Sequence, residues 1–359
     1  MEVFGKNLSR NEIIKKIGDI SQLGGIKYYE FIDGMRRGVR AIDIKSPCGL
    51  DMTVLVDRAM DISYLSYKSI PLSWRSVTKE TSPSFYESRG DEIARTFYGG
   101  LFLTCGLTYM GEQCIDNEEE LGLHGRISNI SAENISIEEF WEDDDYVMIV
   151  RGRVREVKVL GDKLQLSRKI TTWMGKLKVV VEDEIENIGS RTTPLMVLYH
   201  VNIGYPLLDK QSELILPSSR VIPRDKEAKK GIRKYSHFTN PVPNFKQQVF
   251  FHEIEADEEG NANVALINET LNEKKGLGLW LKYNKDTLPY LIQCKQMGGG
   301  EYFCAIEPAN SFVRGRKIER KDNNLKFIKP GEKVKNKLEF ILLTSNSEIN
   351  EFRNKYSKR

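Results

Sequence analysis

Beyond residue 25 the sequence is a close succession of short strand-like runs with almost no helical periodicity. Residues 38–44, for example, alternate apolar and polar positions, as a strand with one buried face does. Turn signals such as 160–163 and 330–332 separate the runs, and many of the gaps are shorter than the roughly ten residues that a βαβ crossover requires. The pattern therefore predicts a mainly antiparallel β-sandwich. The other predicted strands are 51–56, 146–150, 163–172, 177–188, 195–201, 248–251, 278–283, 290–293, 302–306 and 337–343.

The amino-terminal segment has a different pattern, typical of one short helix over residues 9–23. Ser9 is suited to cap this helix, Glu12 follows at the capping-box position, and isoleucines at 13, 14, 17 and 20 form an approximate helical stripe. No linker rich in Pro, Gly or Ser interrupts the remainder. We therefore expect a helical extension over residues 1–25 and a single β domain over residues 26–359.

The composition argues against several classes of function. The 54 basic and 51 acidic side chains leave a net charge of only +3, and no basic stripe with interleaved aromatics indicates nucleic-acid binding. The sequence contains no apolar run of about 18 residues and no signal-peptide pattern at its start. Five cysteines without a CxxC pair are typical of reduced core thiols. We expect a cytoplasmic protein without nucleic-acid or membrane partners; its oligomeric state is left open, a homodimer being one option.

Two of the four histidines lie in segments that suggest a site. His124 stands between Gly122 and Gly125, and glycines allow a ligand or backbone to approach closely. His200 ends an apolar run, and Asn202, two residues on, would share its face of a strand. The structural alternatives are a histidine in a turn and a buried, hydrogen-bonded core histidine.

A carboxylate completes the candidate set. Glu307 directly follows the apolar run 303–306 and precedes Pro308, which predicts a strand end near a sheet rim. The structural alternative is an exposed glutamate. A metal site of two histidines and one glutamate is chemically reasonable, because this is a known zinc ligand set.

Several cations are further candidates. Arg58 could clamp hydroxyls or a carboxylate, although an ion pair with Asp57 is the favoured interpretation. His237 and His252 are predicted to lie on the surface, and the basic stretch 224–234 is interpreted as a solvated loop. Motifs of serine hydrolases, phosphate-binding loops and zinc helices do not occur.

Four segments, taken in order and spacing, resemble the aldose 1-epimerase (galactose mutarotase-like) superfamily and more closely its bacterial DUF4432 branch. They are residues 56–62, 122–126, 199–206 and 306–310, and the resemblance extends over about 38–343. It implies a galactose mutarotase-like β-supersandwich with an open sugar-binding cleft on a sheet face.

The resemblance also implies roles for single residues. Glu307 would take the proton of the anomeric hydroxyl, His200 would protonate the ring oxygen, and His124 would contact the substrate near that oxygen. No cofactor is implied, and the partner would be a small sugar or sugar derivative.

Further candidates for substrate binding are Arg58, Asn202, Arg126, Lys295 and Arg316. The arginines, Arg314 among them, suggest an acidic or phosphorylated sugar.

Three functions therefore remain open. The first is a cofactor-independent aldose 1-epimerase-like enzyme. The second is a non-catalytic carbohydrate-binding or sensing protein that keeps the cleft. The third is a metal-dependent sugar isomerase or lyase that uses His124, His200 and Glu307 as ligands.

Overall fold

The computed structural model describes residues 1–357, which form a mainly β structure with short helices. The helices are α1 Arg10–Ile14, α2 Lys226–Gly231, α3 Leu271–Lys274, α4 Arg316–Lys321 and α5 Asn346–Tyr356. The strands in chain order are β1 Glu2–Val3, β2 Lys6–Asn7, β3 Gly25–Glu30, β4 Arg40–Lys45, β5 Leu50–Leu55, β6 Asp61–Tyr67, β7 Ile70–Pro71, β8 Trp74–Arg75, β9 Gly99–Gly100, β10 Phe102–Leu107, β11 Cys114–Asp116, β12 Glu119–Leu121 and β13 Glu133–Glu142. They continue with β14 Asp145–Val157, β15 Lys163–Met174, β16 Lys178–Asn187, β17 Thr193–Gly204, β18 Glu213–Ile215, β19 Ser218–Pro223, β20 Gln248–Ile254, β21 Asn261–Asn268, β22 Leu277–Asn284, β23 Tyr290–Met297, β24 Tyr302–Ala309, β25 Lys326–Ile328 and β26 Lys333–Leu343.

Two large sheets dominate the architecture. The eight-stranded sheet has the order β13-β14-β15-β16-β26-β22-β21-β18, and the seven-stranded sheet has the order β10-β17-β24-β23-β20-β19, with β25 also paired to β17. The central ladders of both sheets are antiparallel. The prediction of a mainly antiparallel β-sandwich is confirmed. None of the helices within residues 1–357 has the length and apolar character that a membrane span requires.

The amino-terminal helix is present but shorter than predicted. Ser9 caps it as expected, because its Oγ accepts a hydrogen bond from the Glu12 amide at 3.3 Å and the Glu12 carboxylate accepts one from the Ser9 amide at 2.9 Å. The helix ends at Ile14, and Asp19 then caps a separate 3-10 turn, Ile20–Gln22. The division into an extension over residues 1–25 and one domain over 26–359 stays a prediction.

The two faces of the seven-stranded sheet have different partners. Along β17 the side chains of Val197, Tyr199 and Val201 join the main core, which also contains side chains of the eight-stranded sheet such as Phe340. The alternate positions belong to a second apolar cluster on the other face. That second cluster includes Met196, Leu198, Ile292, Cys294, Ala305 and Ala309. His200 alternates with Tyr199 and Val201, so it lies on the second face.

An ionic network lies inside the main core. The fully buried guanidinium of Arg168 contacts Asp61 Oδ1 at 2.6 Å and Asp183 Oδ2 at 2.7 Å. The Tyr199 hydroxyl donates a hydrogen bond to Asp183 Oδ2 at 2.7 Å. Because each buried charge has a partner, the network ties β6, β15, β16 and β17 together without an isolated ion.

Candidate active site

Strand register brings His200 and Glu307 together. In the β17–β24 ladder Val201 pairs with Ile306 and Leu198 with Ala309, so His200 lies directly opposite Glu307. His200 Nε2 is 3.3 Å from Glu307 Oε1, and both side chains are buried. We call these two residues the acid–base pair.

The position predicted for Glu307 at a strand end is wrong. Glu307 and Pro308 both lie within β24, which continues to Ala309. The ladder with β17 has no pair between Val201–Ile306 and Leu198–Ala309, which is where Pro308 lies. A residue without an N–H is tolerated there because it interrupts no such pair.

A tight loop positions the His124 ring beside His200. Its backbone is left-handed, with φ 60°, and the following Gly125 has φ 76°. The His124 amide donates to the Gly111 carbonyl at 2.9 Å, and the His124 carbonyl accepts from the Gly106 amide at 3.2 Å. A Cβ at Gly125 would lie 2.2 Å from the Tyr109 carbonyl oxygen, so only glycine fits. The ring centroids of His124 and His200 are then 5.6 Å apart.

The three side chains line a cleft with two lobes. The first, which we call the acid–base lobe, has a volume of about 350 Å³ and contains Glu307. The second, which we call the aromatic lobe, has a volume of about 280 Å³ and contains Trp74, Phe97 and Phe303. His124 and His200 line both lobes, together with Leu123 and Gln247. The acid–base lobe is also lined by Asp91, Gly111, Glu112, Gln113, Arg224, Val249, Ile292, Cys294 and Val313.

Burial shifts the protonation of the site. Desolvation raises the pKa of Glu307 to about 8, against a weaker opposing effect of Arg224. Desolvation, reinforced by the neighbouring His124, lowers the pKa of His200 to about 3. The pKa of His124 falls to about 4 for the same reason, burial. Burial therefore favours the neutral form of all three groups, with the transferable proton of the acid–base pair on Glu307.

Polar atoms in the cleft are left free to meet a ligand. Nδ1 of His124 and Nδ1 of His200 are buried and have no hydrogen-bond partner within residues 1–357. Buried polar atoms in native proteins are nearly always paired, so these atoms mark a place where a polar ligand or water would be bound.

Comparisons with known proteins identify the family of this chain. The sequence model of a family described as "Domain of unknown function (DUF4432)" matches residues 36–342. The chain belongs to the DUF4432 family. A comparison of the DUF4432 chain with curated proteins found no significant match.

Solved structures share the fold of the DUF4432 chain. A Klebsiella pneumoniae protein provisionally assigned as an aldose 1-epimerase is 21% identical, with a TM-score of 0.86 over 97% of this chain and 93% of that one. A galactose mutarotase-like protein of Clostridium acetobutylicum has 13% identity and a TM-score of 0.61, over 90% and 99%. A galactose 1-epimerase of Lactobacillus acidophilus has 11% identity and a TM-score of 0.57, over 89% and 99%. The predicted galactose mutarotase-like fold is confirmed.

Asn202 and Lys295 lie near the site but face other groups. Asn202 is buried on β17, and its Nδ2 donates to the carbonyls of His200 at 2.7 Å and Gly99 at 3.3 Å. It thereby fixes the backbone that carries His200. Lys295 alternates with Cys294 on β23, so it points to the other face of the sheet, where its ammonium donates to the Lys234 carbonyl at 2.9 Å. Burial lowers the pKa of Lys295 to about 8.

The structure does not bring Arg58 to the cleft, contrary to its predicted role in substrate binding. The guanidinium is fully buried and donates to the carbonyls of Ser128, Thr81 and Thr96 at 2.5, 2.9 and 3.0 Å. The predicted ion pair with Asp57 is also wrong. Asp57 instead contacts Arg40 Nη2 at 2.6 Å. Arg58 is thus a structural cross-link between loops.

The other predicted arginines also lie elsewhere. Arg316 is buried in a salt-bridge cluster, 2.7 Å from Asp116 and 2.6 Å from Glu119. Arg126 is exposed and lines a separate pocket of about 90 Å³ beside Glu156. Because neither side chain reaches the cleft, their positions do not support the predicted contacts with substrate.

The sequence interpretation missed several cleft residues, among them Arg224 and Gln247, and misplaced one histidine. Arg224, read as part of a solvated loop, lines the acid–base lobe, and Gln247 lines both lobes. No local motif marks either of them. His252, predicted to lie on the surface, is buried and its Nε2 is 3.1 Å from Gln293 Oε1. Its alternation with Phe250 and Ile254 was the available signal.

Within residues 1–357 no group of three or more His, Cys, Asp or Glu side chains has an arrangement that could hold a metal ion.

Proposed function

We propose that the protein is a cofactor-independent aldose 1-epimerase-like enzyme, which interconverts sugar anomers by opening and closing the ring. The observation that carries the proposal is the acid–base pair, with Nε2 and Oε1 3.3 Å apart at the floor of a cleft. An anomer exchange needs one group that removes a proton and one that supplies a proton. A carboxyl group and an imidazole that share a single proton have that capacity.

Glu307 acts as the base and His200 as the acid in this proposal. Transfer of one proton from the Glu307 carboxyl group to His200 converts the neutral resting pair into a carboxylate and an imidazolium. The carboxylate then takes the proton of the anomeric hydroxyl while the imidazolium protonates the ring oxygen, and the C1–O5 bond breaks to give the open-chain aldehyde. Rotation about C1–C2 and the reverse steps give the other anomer. At the end of the cycle the transferable proton is again on Glu307 and His200 is neutral.

The surroundings support a neutral, hydroxylated substrate. The neutral His124 can donate or accept at a hydroxyl, and Gln247 offers an amide at the junction of the lobes. Arg224 is the cation in this lobe's lining, but its guanidinium already lies 3.1 Å from Asp225 and 3.4 Å from Glu112. Those two carboxylates leave it less suited to hold an acidic or phosphorylated sugar.

The test is exchange NMR on anomeric protons, with a panel of aldoses, uronic acids and sugar phosphates. Wild type is compared with Glu307→Gln and with the control Glu258→Gln, which changes an exposed glutamate. We expect accelerated exchange in wild type and control, and a loss of about 10² to 10⁴-fold in Glu307→Gln. Equal acceleration by all three proteins would refute the assignment. Binding of sugars without any acceleration would favour the non-catalytic sensing protein.

A further inference from the structure

The aromatic lobe is a feature that the proposed chemistry does not use. Three aromatic side chains line it in a cluster, with the ring centroids of Trp74 and Phe303 4.3 Å apart and those of Trp74 and Phe97 6.5 Å apart. The Phe97 ring also packs edge-on against His200, with centroids 5.2 Å apart. The apolar surface therefore begins directly at the acid–base pair.

The rim of the aromatic lobe is polar. Gln296 lines it, and its Oε1 is buried without a hydrogen-bond partner within residues 1–357. Gln247 and Glu301 line the same lobe. Aromatic faces with amide and carboxylate groups at their margin suit a sugar ring, whose faces carry C–H groups and whose edge carries hydroxyls. A few polar groups in a mainly apolar pocket are also the usual arrangement in small-molecule sites.

The junction between the lobes sets the direction in which a substrate would extend. Glu307 lines the acid–base lobe and His200 lines both lobes. If Glu307 is at the anomeric hydroxyl and His200 at the ring oxygen, the ring oxygen lies on the side of the aromatic lobe. The ring oxygen is bonded to C1 and C5, and C5 carries C6. Groups attached through C6 are therefore the ones directed into the aromatic lobe.

We propose that the preferred substrate is a reducing sugar with a second ring attached on its C6 side, of which a 1→6-linked disaccharide is the simplest case. The reducing ring occupies the acid–base lobe and the second ring stacks in the aromatic lobe. The proposal rests on the proposed function. The volumes of about 350 and 280 Å³ agree with it, because each lobe is near the lower limit of a small-molecule pocket, roughly 300 Å³.

The test compares exchange efficiency, kcat/KM, for glucose, the 1→4-linked maltose and the 1→6-linked isomaltose, all with a reducing glucose ring. The matched variants are Ala94→Trp, at an exposed residue that lines the aromatic lobe, and Ala256→Trp, at an exposed residue outside both lobes. Ala94→Trp fills the lobe from its rim without opening a cavity in the core. A further variant, Phe97→Leu, removes one stacking ring.

We expect wild type to exchange isomaltose at least tenfold more efficiently than glucose and maltose. Ala94→Trp and Phe97→Leu should each lower the isomaltose-to-glucose ratio by tenfold or more, whereas Ala256→Trp should leave that ratio unchanged. Equal efficiency for isomaltose and glucose, a preference for maltose, or a ratio that neither lobe variant lowers would overturn this proposal alone. No exchange of any sugar would instead overturn the proposed function, and this proposal with it.

Discussion

Replacing Glu307 with glutamine should remove activity and yet stabilise the fold by an amount that grows as pH rises from about 5 to 8. Burial raises the pKa of Glu307 to about 8 from a usual 4.5, so between these pH values the native state holds a proton that the unfolded state has released. Stability must then fall as pH rises through this window, because the unfolded state binds fewer protons. Glutamine matches the protonated carboxyl group in shape and charge and has no proton to lose.

The magnitude follows from the two pKa values. Each pH unit between them is worth about 1.4 kcal/mol, so ionising Glu307 in place costs on the order of 4–5 kcal/mol in all. At pH 5 wild type and Glu307→Gln should differ by less than about 1 kcal/mol. By pH 8.5 the variant should be more stable by roughly 3–5 kcal/mol.

Urea unfolding of both proteins at pH 5, 7 and 8.5 measures this difference, with Glu258→Gln as the exposed control. Contributions of other titrating groups, including His124 and His200, occur in both proteins and cancel in the comparison to first order. The reasoning is refuted if the curves of wild type and Glu307→Gln stay parallel from pH 5 to 8.5. It is equally refuted if the control shows the same gain.

Four further predictions follow from the site and the core. The efficiency of anomer exchange should be level between pH 5 and 7 and fall above about pH 8, where the acid–base pair loses its proton; a rise above pH 8 in the pH profile would contradict this. His200→Asn should lower kcat/KM by about 10² to 10⁴-fold in exchange NMR, whereas His237→Asn, at an exposed residue, should retain wild-type efficiency. Exchange should survive dialysis against a strong chelator, and loss of activity restored by a divalent metal would favour the metal-dependent alternative. Arg168→Met should lower the free energy of unfolding by about 3–5 kcal/mol in urea titrations, because it leaves Asp61 and Asp183 as unpaired buried charges. A loss below 1 kcal/mol would show that these carboxylates are not held ionised in the core.

Much of the fold could be predicted from the sequence, because the central strands are half-buried or fully buried and show this in their apolar pattern. Each of the predicted runs falls on an observed strand, for example 163–172 on β15 Lys163–Met174. The edge strand β13 was missed because most of its positions are polar and none is buried. The amino-terminal helix was predicted too long because a few isoleucines imitate a stripe, while Gly18 and the capping Asp19 interrupt it.

The candidate site was predictable in its members but not in its geometry. His200 and Glu307 attract attention because each is a titratable residue beside an apolar run. That they meet depends on a register that pairs strands more than 100 residues apart, which periodicity does not encode. The predictions for the arginines were wrong for a different reason. A buried arginine such as Arg58 looks the same in sequence as one that binds substrate, since only the carbonyls around it decide its role.

The acid–base pair lies on the second face of the seven-stranded sheet. This position explains the shifted pKa values of the pair and the free energy that ionising Glu307 costs. Much of that face is apolar, and Ala305 and Ala309 on either side of Glu307 supply no side-chain polar atom that could solvate a carboxylate. Burial among such neighbours therefore raises the pKa of Glu307 and lowers that of His200. A polar substitution such as Ala305→Ser should lower the pKa of Glu307 and move the alkaline limb of the exchange profile to lower pH. The effect of the apolar face should therefore be visible in the pH at which anomer exchange declines, and not in the maximal rate.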